Sequence, residues 1–107
     1  MLVEDPVQRD ATLRDLWLNM NAALSGGDTP AALLFLTPSA RRRYAPVFDA
    51  LEPFLPGIVA SYSPLATLSL SESIGEYALK RTIDGEDRLF LVYFLRDGDG
   101  VWRLGAM

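Results

Sequence analysis

The stretch RLFLVYFLRDGDGVWRL, residues 88–104, decides how this chain folds. From Leu89 to Leu95 every position is apolar, with aromatic and β-branched residues among them, which is the composition of a strand. Asp97-Gly98-Asp99-Gly100 then turns the chain, because glycine accepts the positive φ of tight turns and aspartate bonds to its own loop backbone. The same four residues could open a calcium loop, but the further oxygen ligands and the distal glutamate are missing, so a hairpin turn is the reading kept. A sheet covered on one side only alternates apolar and polar residues, whereas a strand that is apolar at every position needs cover on both faces.

Working backwards, Asp84-Gly85-Glu86-Asp87 and Ser73-Ile74-Gly75 mark two further turns. Strands are therefore expected at 66–72, 76–83, 88–96 and 101–106, all antiparallel because the turns are short. Pairing Arg96 with Val101 places Leu89, Leu91, Tyr93 and Leu95 on one face with Trp102, Leu104 and Ala106, and the preceding hairpin adds Glu76, Ala78, Lys80 and Thr82. The opposite face then carries Tyr77, Leu79, Arg81, Phe90, Val92, Phe94, Val101 and Arg103.

Before Pro64 the periodicity is helical. Asp5-Pro6-Val7-Gln8 has a capping aspartate, a proline suited to the first turn and a glutamine able to close a capping box. Leu13, Leu16, Trp17, Met20 and Leu24 follow at i, i+3, i+4, i+7 and i+11, one buried stripe. Ser25-Gly26-Gly27-Asp28 stops that helix, and Thr29-Pro30 opens a short second one through Leu36. Thr37-Pro38 opens a third, whose stripe is Tyr44, Val47, Phe48, Leu51, Leu55 and Ile58. Pro46, Pro53 and Pro56 each remove a backbone donor, so this segment is expected to kink or split. Three helical segments can cover one sheet face and not the second, so the second is expected to meet a partner or another copy of the chain.

The chain has 107 residues, 50% of them apolar and 22% charged, with a net charge of −4, no histidine and no cysteine. This describes one domain over 1–107, helical at 5–60 and a sheet at 65–107, around a single core. Without imidazole or thiol there is no Ser-His-Asp or Cys-His nucleophile, no zinc finger and no disulfide, and no metal or other cofactor is implied. The acidic balance argues against nucleic acid, which needs a basic excess. Arg41-Arg42-Arg43 is the one charge run, and three successive helical positions fan over about 200°, which favours a solvated face over a joint anion clamp. No apolar run approaches the length of a membrane span and no leader precedes Glu4. Cytoplasmic placement is the default, although a domain cut from a longer secreted or anchored protein would read the same way.

Helical segments followed by four antiparallel strands, ending on Gly100-Val101-Trp102-Arg103-Leu104, resemble the nuclear transport factor 2-like superfamily of cystatin-like α+β cones. The resemblance covers nearly the whole chain and implies a curved sheet wrapped around the helices with a pocket between them. It also implies that Trp102 and Leu104 point to the helices and Arg103 away from them. With the register above, the pocket residues would be Trp17, Met20, Lys80, Tyr93 and Trp102, and the outer face Tyr77, Leu79, Phe90, Val92, Phe94 and Arg103 would be the interface of a homodimer or other protein contact. Members with a His-Asp pair are excluded by the lack of histidine. Those with a pocket carboxylate would leave Glu76 as base and Tyr93 as donor, a cofactor-independent isomerase or cyclase acting on a small hydrophobic substrate. Glu76 lies at a strand start, where a carboxylate is ordinarily solvated and Lys80 can neutralise it. The preferred reading is therefore a non-catalytic interaction or dimerisation domain that has room for a small apolar ligand. Trp17 and Trp102 would serve either as core or as the wall of that pocket.

Overall fold

A capping side chain and a proline open each of the first three helices. The structure, a computed structural model, describes residues 5–107; the segment before Asp5, in which no leader was read, lies outside the described residues. Helix α1, Pro6–Ser25, is capped by Asp5, whose carboxylate accepts from the Gln8 N–H at 2.7 Å. Its buried stripe is Leu13, Trp17, Met20 and Leu24, with Leu16 half-buried beside it. Gly27, at φ 77, turns the chain. Helix α2, Thr29–Leu33, is capped by Asp28 rather than Thr29. Helix α3, Pro38–Leu51, is capped by Thr37, whose hydroxyl accepts from Ala40 N–H at 3.1 Å.

The proline-rich segment splits, as its prolines imply. Pro46 is tolerated inside α3, but the helix ends at Leu51, a 3-10 turn spans Glu52–Phe54, and α4, Leu55–Ala60, restarts behind it and packs on α1. One part of the expected stripe is buried, Phe48 and Leu55, while Val47 and Leu51 stand partly in solvent.

Four strands follow, β1 Ala66–Leu70, β2 Ile74–Ile83, β3 Glu86–Arg96 and β4 Trp102–Ala106, in one antiparallel sheet of order β1-β2-β3-β4. The protein is thus an α+β domain with N-terminal helices on a four-stranded sheet that is not closed into a barrel. Four strand boundaries differ from those the sequence pattern predicts: β1 stops at Leu70 rather than at residue 72, β4 starts at Trp102 rather than at Val101, and β2 and β3 both start earlier. Ile74 and Gly75 belong to β2, not to the turn before it, and the β2–β3 turn is only Asp84-Gly85, both at positive φ (52 and 81) as a two-residue hairpin with primed geometry requires. The far edge of β4 is covered: Leu104 N–H donates to Phe35 and Thr37 N–H to Leu104, at 2.8 and 2.9 Å, so residues 35–37 lie along it.

Arg96 pairs with Trp102, not Val101, because the last loop holds five residues, with Gly100 at φ 78 and Arg103 bridging Asp97 and Asp99 at 3.1 Å each. A slip of one residue sends every side chain of the neighbouring strands to the other face. Trp102 and Leu104 do face the helices, as expected, but they bring Phe94, Val92, Phe90, Tyr77 and Leu79 with them. Tyr77, Leu79, Val92 and Phe94 are therefore core, each at 3% exposure or less, and cannot form the interface assigned to them. Glu76, Lys80, Tyr93, Leu89 and Leu91 lie on the face without helices. The two-sided character of β3 stands, since Leu89 remains 77% and Leu91 48% exposed.

Candidate functional site

Splitting the third helical segment leaves a hollow. Helix α3 approaches the sheet at one end through Tyr44, whose hydroxyl donates to the Met107 carbonyl at 3.0 Å and accepts from its N–H at 3.2 Å. The 3-10 turn then redirects the chain, and α4 comes back against α1. The space enclosed is a cavity of about 310 Å³. Its floor is Leu79, Phe90 and Val92 of the sheet, its walls are Trp17 and Leu24 of α1 and Tyr44 and Phe48 of α3, and α4 closes it with Leu55, Ile58 and Val59. Val47, Leu51 and Phe90 rim it, each between 36% and 41% exposed. Four lining side chains carry polar groups: Trp17, Tyr44, Tyr62 and Arg81. Tyr62 leans on Trp17, with ring centroids 5.6 Å apart, and burial pushes its hydroxyl above the ordinary range against the opposing charge of Arg81. It therefore stays protonated at neutral pH.

Volume and lining suit a small apolar molecule. Ligand pockets run from about 300 to about 1,000 Å³, and an apolar cavity of about 150 Å³ already takes benzene. No aspartate or glutamate side chain lines this cavity.

Of the expected pocket residues the structure brings Trp17 to the cavity and not the others. Met20 is fully buried in the core, Trp102 is buried at a separate shallow groove with Leu16 and Phe35, and Lys80 and Tyr93 lie on the open sheet face. Glu76 and Tyr93 are paired directly across β2 and β3, but on that open face and outside the cavity. Of the expected interface only Arg103 lies on the open face; Phe90 is at the cavity rim. Tyr44, Phe48, Leu55 and Ile58 had been visible as a helical stripe, whereas nothing in the periodicity pointed to Tyr62.

A second polar constellation, at the other end of α1, was not anticipated. Asp10 accepts from the Tyr77 hydroxyl at 2.7 Å, from Thr67 at 3.0 Å and from Arg14 Nε at 2.8 Å, while Arg14 also donates to the Leu65 carbonyl at 2.7 Å. Burial works to raise the Asp10 pKa, but the three donors and the Arg14 charge outweigh it and hold the carboxyl below its ordinary value. Burial first, then Asp10, push the Tyr77 hydroxyl well above its own. A carboxylate so saturated is a weak base, and its work is to tie α1 to β1 and β2. The signal was the Asp10–Arg14 spacing of four on the helix. In the arginine run, Arg41 donates to the Leu33 and Leu36 carbonyls at the end of α2, while Arg42 and Arg43 are exposed. Among the described residues no cluster of acidic side chains could hold a metal ion, and no helix is long and apolar enough to cross a membrane.

Comparisons with protein-family models, with curated proteins and with solved structures give no match.

Proposed function

We propose that this domain is a non-catalytic binding module that takes a small apolar molecule between its helices and its sheet. The observation that carries this is the cavity of about 310 Å³, bounded by Trp17, Phe48, Leu55 and Val92 and lined by no aspartate or glutamate side chain. A pocket in that place is also what the resemblance to the nuclear transport factor 2-like superfamily implies. The test is thermal. A ligand that binds only the native state at ten times its Kd adds about 1.4 kcal/mol, and for a chain of 107 residues that raises the melting temperature by about 6 °C. Octan-1-ol is a suitable probe; no shift up to its solubility limit counts against the reading.

A second reading, association of two copies through the open sheet face, is favoured by a separate observation. Ile74, Leu89 and Leu91 are 42% to 77% exposed, an apolar field beside Ala78 on a face that no helix covers. Its charges are of both signs, Glu76 and Asp87 beside Lys80 and Arg103, so a copy of the same face meets no net repulsion there although the chain carries −4. Sedimentation velocity over a concentration series tests it: a dimer supports this reading, and a monomer throughout removes it.

A further inference from the structure

The floor of the cavity ends at Arg81, with Arg88 opposite it on the next strand. Along the helix-facing side of β2 and β3 the paired residues are Tyr77 with Val92, Leu79 with Phe90 and then Arg81 with Arg88. The first two rows carry apolar and aromatic side chains, and the third pairs arginine with arginine. Like charges opposed across an antiparallel pair repel. Arg88 is partly neutralised by Glu86 at 3.4 Å. Arg81, which lines the cavity, has no carboxylate partner among the described residues.

Its guanidinium is nonetheless held in place. Nε donates to Ser61 Oγ at 2.6 Å, and that hydroxyl in turn donates to the Ile58 carbonyl at 2.6 Å, so the end of α4 fixes the head group beside the cavity. An isolated backbone bridge between Tyr62 and Arg81 anchors the same junction. With Nε engaged, the two Nη groups keep their hydrogens for another acceptor. Two Nη hydrogens side by side match the two oxygens of a carboxylate.

We propose that the ligand of this cavity is an amphiphilic carboxylate, its apolar body over Phe90 and Val92 and its carboxylate on Arg81. The inference rests on the binding-module reading and adds the class of ligand to it. The cavity of about 310 Å³, at ~30 Å³ for each water-sized group, holds about ten heavy atoms, which is the size of octanoate. Arg88 contributes long-range attraction from its exposed position, and Arg81 makes the contact.

The experiment compares octanoate with octan-1-ol, equal in chain length, by calorimetric titration of the wild type, Arg81→Gln and Arg88→Gln. The wild type is expected to bind octanoate at least about five-fold more tightly than the alcohol, the lower range for a charge-assisted pair that is partly exposed. Arg81→Gln should abolish that preference while leaving the alcohol affinity in place, and Arg88→Gln, which touches nothing in the cavity, should reduce it by less. Raising the salt from about 0.05 to about 0.5 M should narrow the wild-type preference, since a partly exposed ion pair is screened. Equal affinities for acid and alcohol in the wild type, or a preference that survives Arg81→Gln, would overturn the proposal and leave the cavity reading standing. Binding of neither compound would overturn both. If Arg81→Gln fails to fold, the salt dependence and Arg88→Gln decide, and an unchanged preference in both is the refuting result.

Discussion

Replacing Tyr77 by phenylalanine removes one oxygen from the hydrogen-bond network around Asp10. The ring stays where it is, against Phe94 at 5.5 Å in edge-to-face contact and under the Arg14 guanidinium at 5.5 Å, so the packing term is nearly unchanged. What is lost is the 2.7 Å bond to Asp10, one of three that hold this carboxylate. A hydrogen bond to a charged group contributes about 1.5–3 kcal/mol, and because Thr67 still donates to the same oxygen the lower end applies, about 1.5 kcal/mol. The sign of the pH effect follows from Asp10, whose pKa in the fold lies below its ordinary 3.8. A depressed carboxyl stabilises the fold above the unfolded pKa, and that contribution is lost as pH falls through the folded value. Without the Tyr77 hydroxyl the folded Asp10 pKa rises toward 3.8, so the difference between variant and wild type should be full at pH 7 and shrink below about pH 4. Urea denaturation at a series of pH values measures it. A difference below about 0.5 kcal/mol at pH 7, or one that does not shrink in acid, would refute the role given to this network.

Further expectations are more local. Gly75→Ala would place a methyl 2.6 Å from Leu13 Cδ1 and 3.3 Å from Tyr77 Cε2, and with both neighbours buried the strain should cost about 1–3 kcal/mol in chemical denaturation. Leu91→Glu, on the open sheet face, should leave thermal stability within about 0.5 kcal/mol and abolish any concentration-dependent dimer in sedimentation. Val47→Trp at the rim should slow or block ligand entry while changing stability little, as a solvent-exposed substitution does; unchanged association kinetics in stopped flow would place the entrance elsewhere.

Much of the architecture was legible because local signals agreed with one another. Asp5-Pro6 and Thr37-Pro38 are cap-and-proline starts that function as such, and the break after Leu51 follows from Pro53. The face of the sheet was not legible, for a reason confined to one loop. Whether the 97–101 turn holds four residues or five depends on the positive φ of Gly100 and on the Arg103 bridge to Asp97 and Asp99, and neither is a pattern of apolar residues. Because side chains alternate, that single residue moved Tyr93, Lys80 and Glu76 out of the expected pocket and Tyr77, Val92 and Phe94 into the core. Both faces of β3 are apolar, so composition could not arbitrate between them. The cavity was half legible: the Tyr44 to Ile58 stripe marked its helical wall, while Tyr62 and Arg81 reach it through the bend after α4, which no periodicity records.

Occupancy of the cavity is most directly read through Trp17, which lines it, in a Trp102→Phe background that leaves one indole in the protein. That background breaks no hydrogen bond, because the buried Trp102 Nε1 makes none, and it gives up only ring packing and the Arg96 guanidinium 5.7 Å from the indole. Titration with octanoate is the measurement. The expected result is a saturable change in Trp17 emission at one equivalent per chain, matched by a rise in melting temperature. An emission that stays flat, or drifts linearly without saturation, would contradict the claim that this hollow is a ligand site.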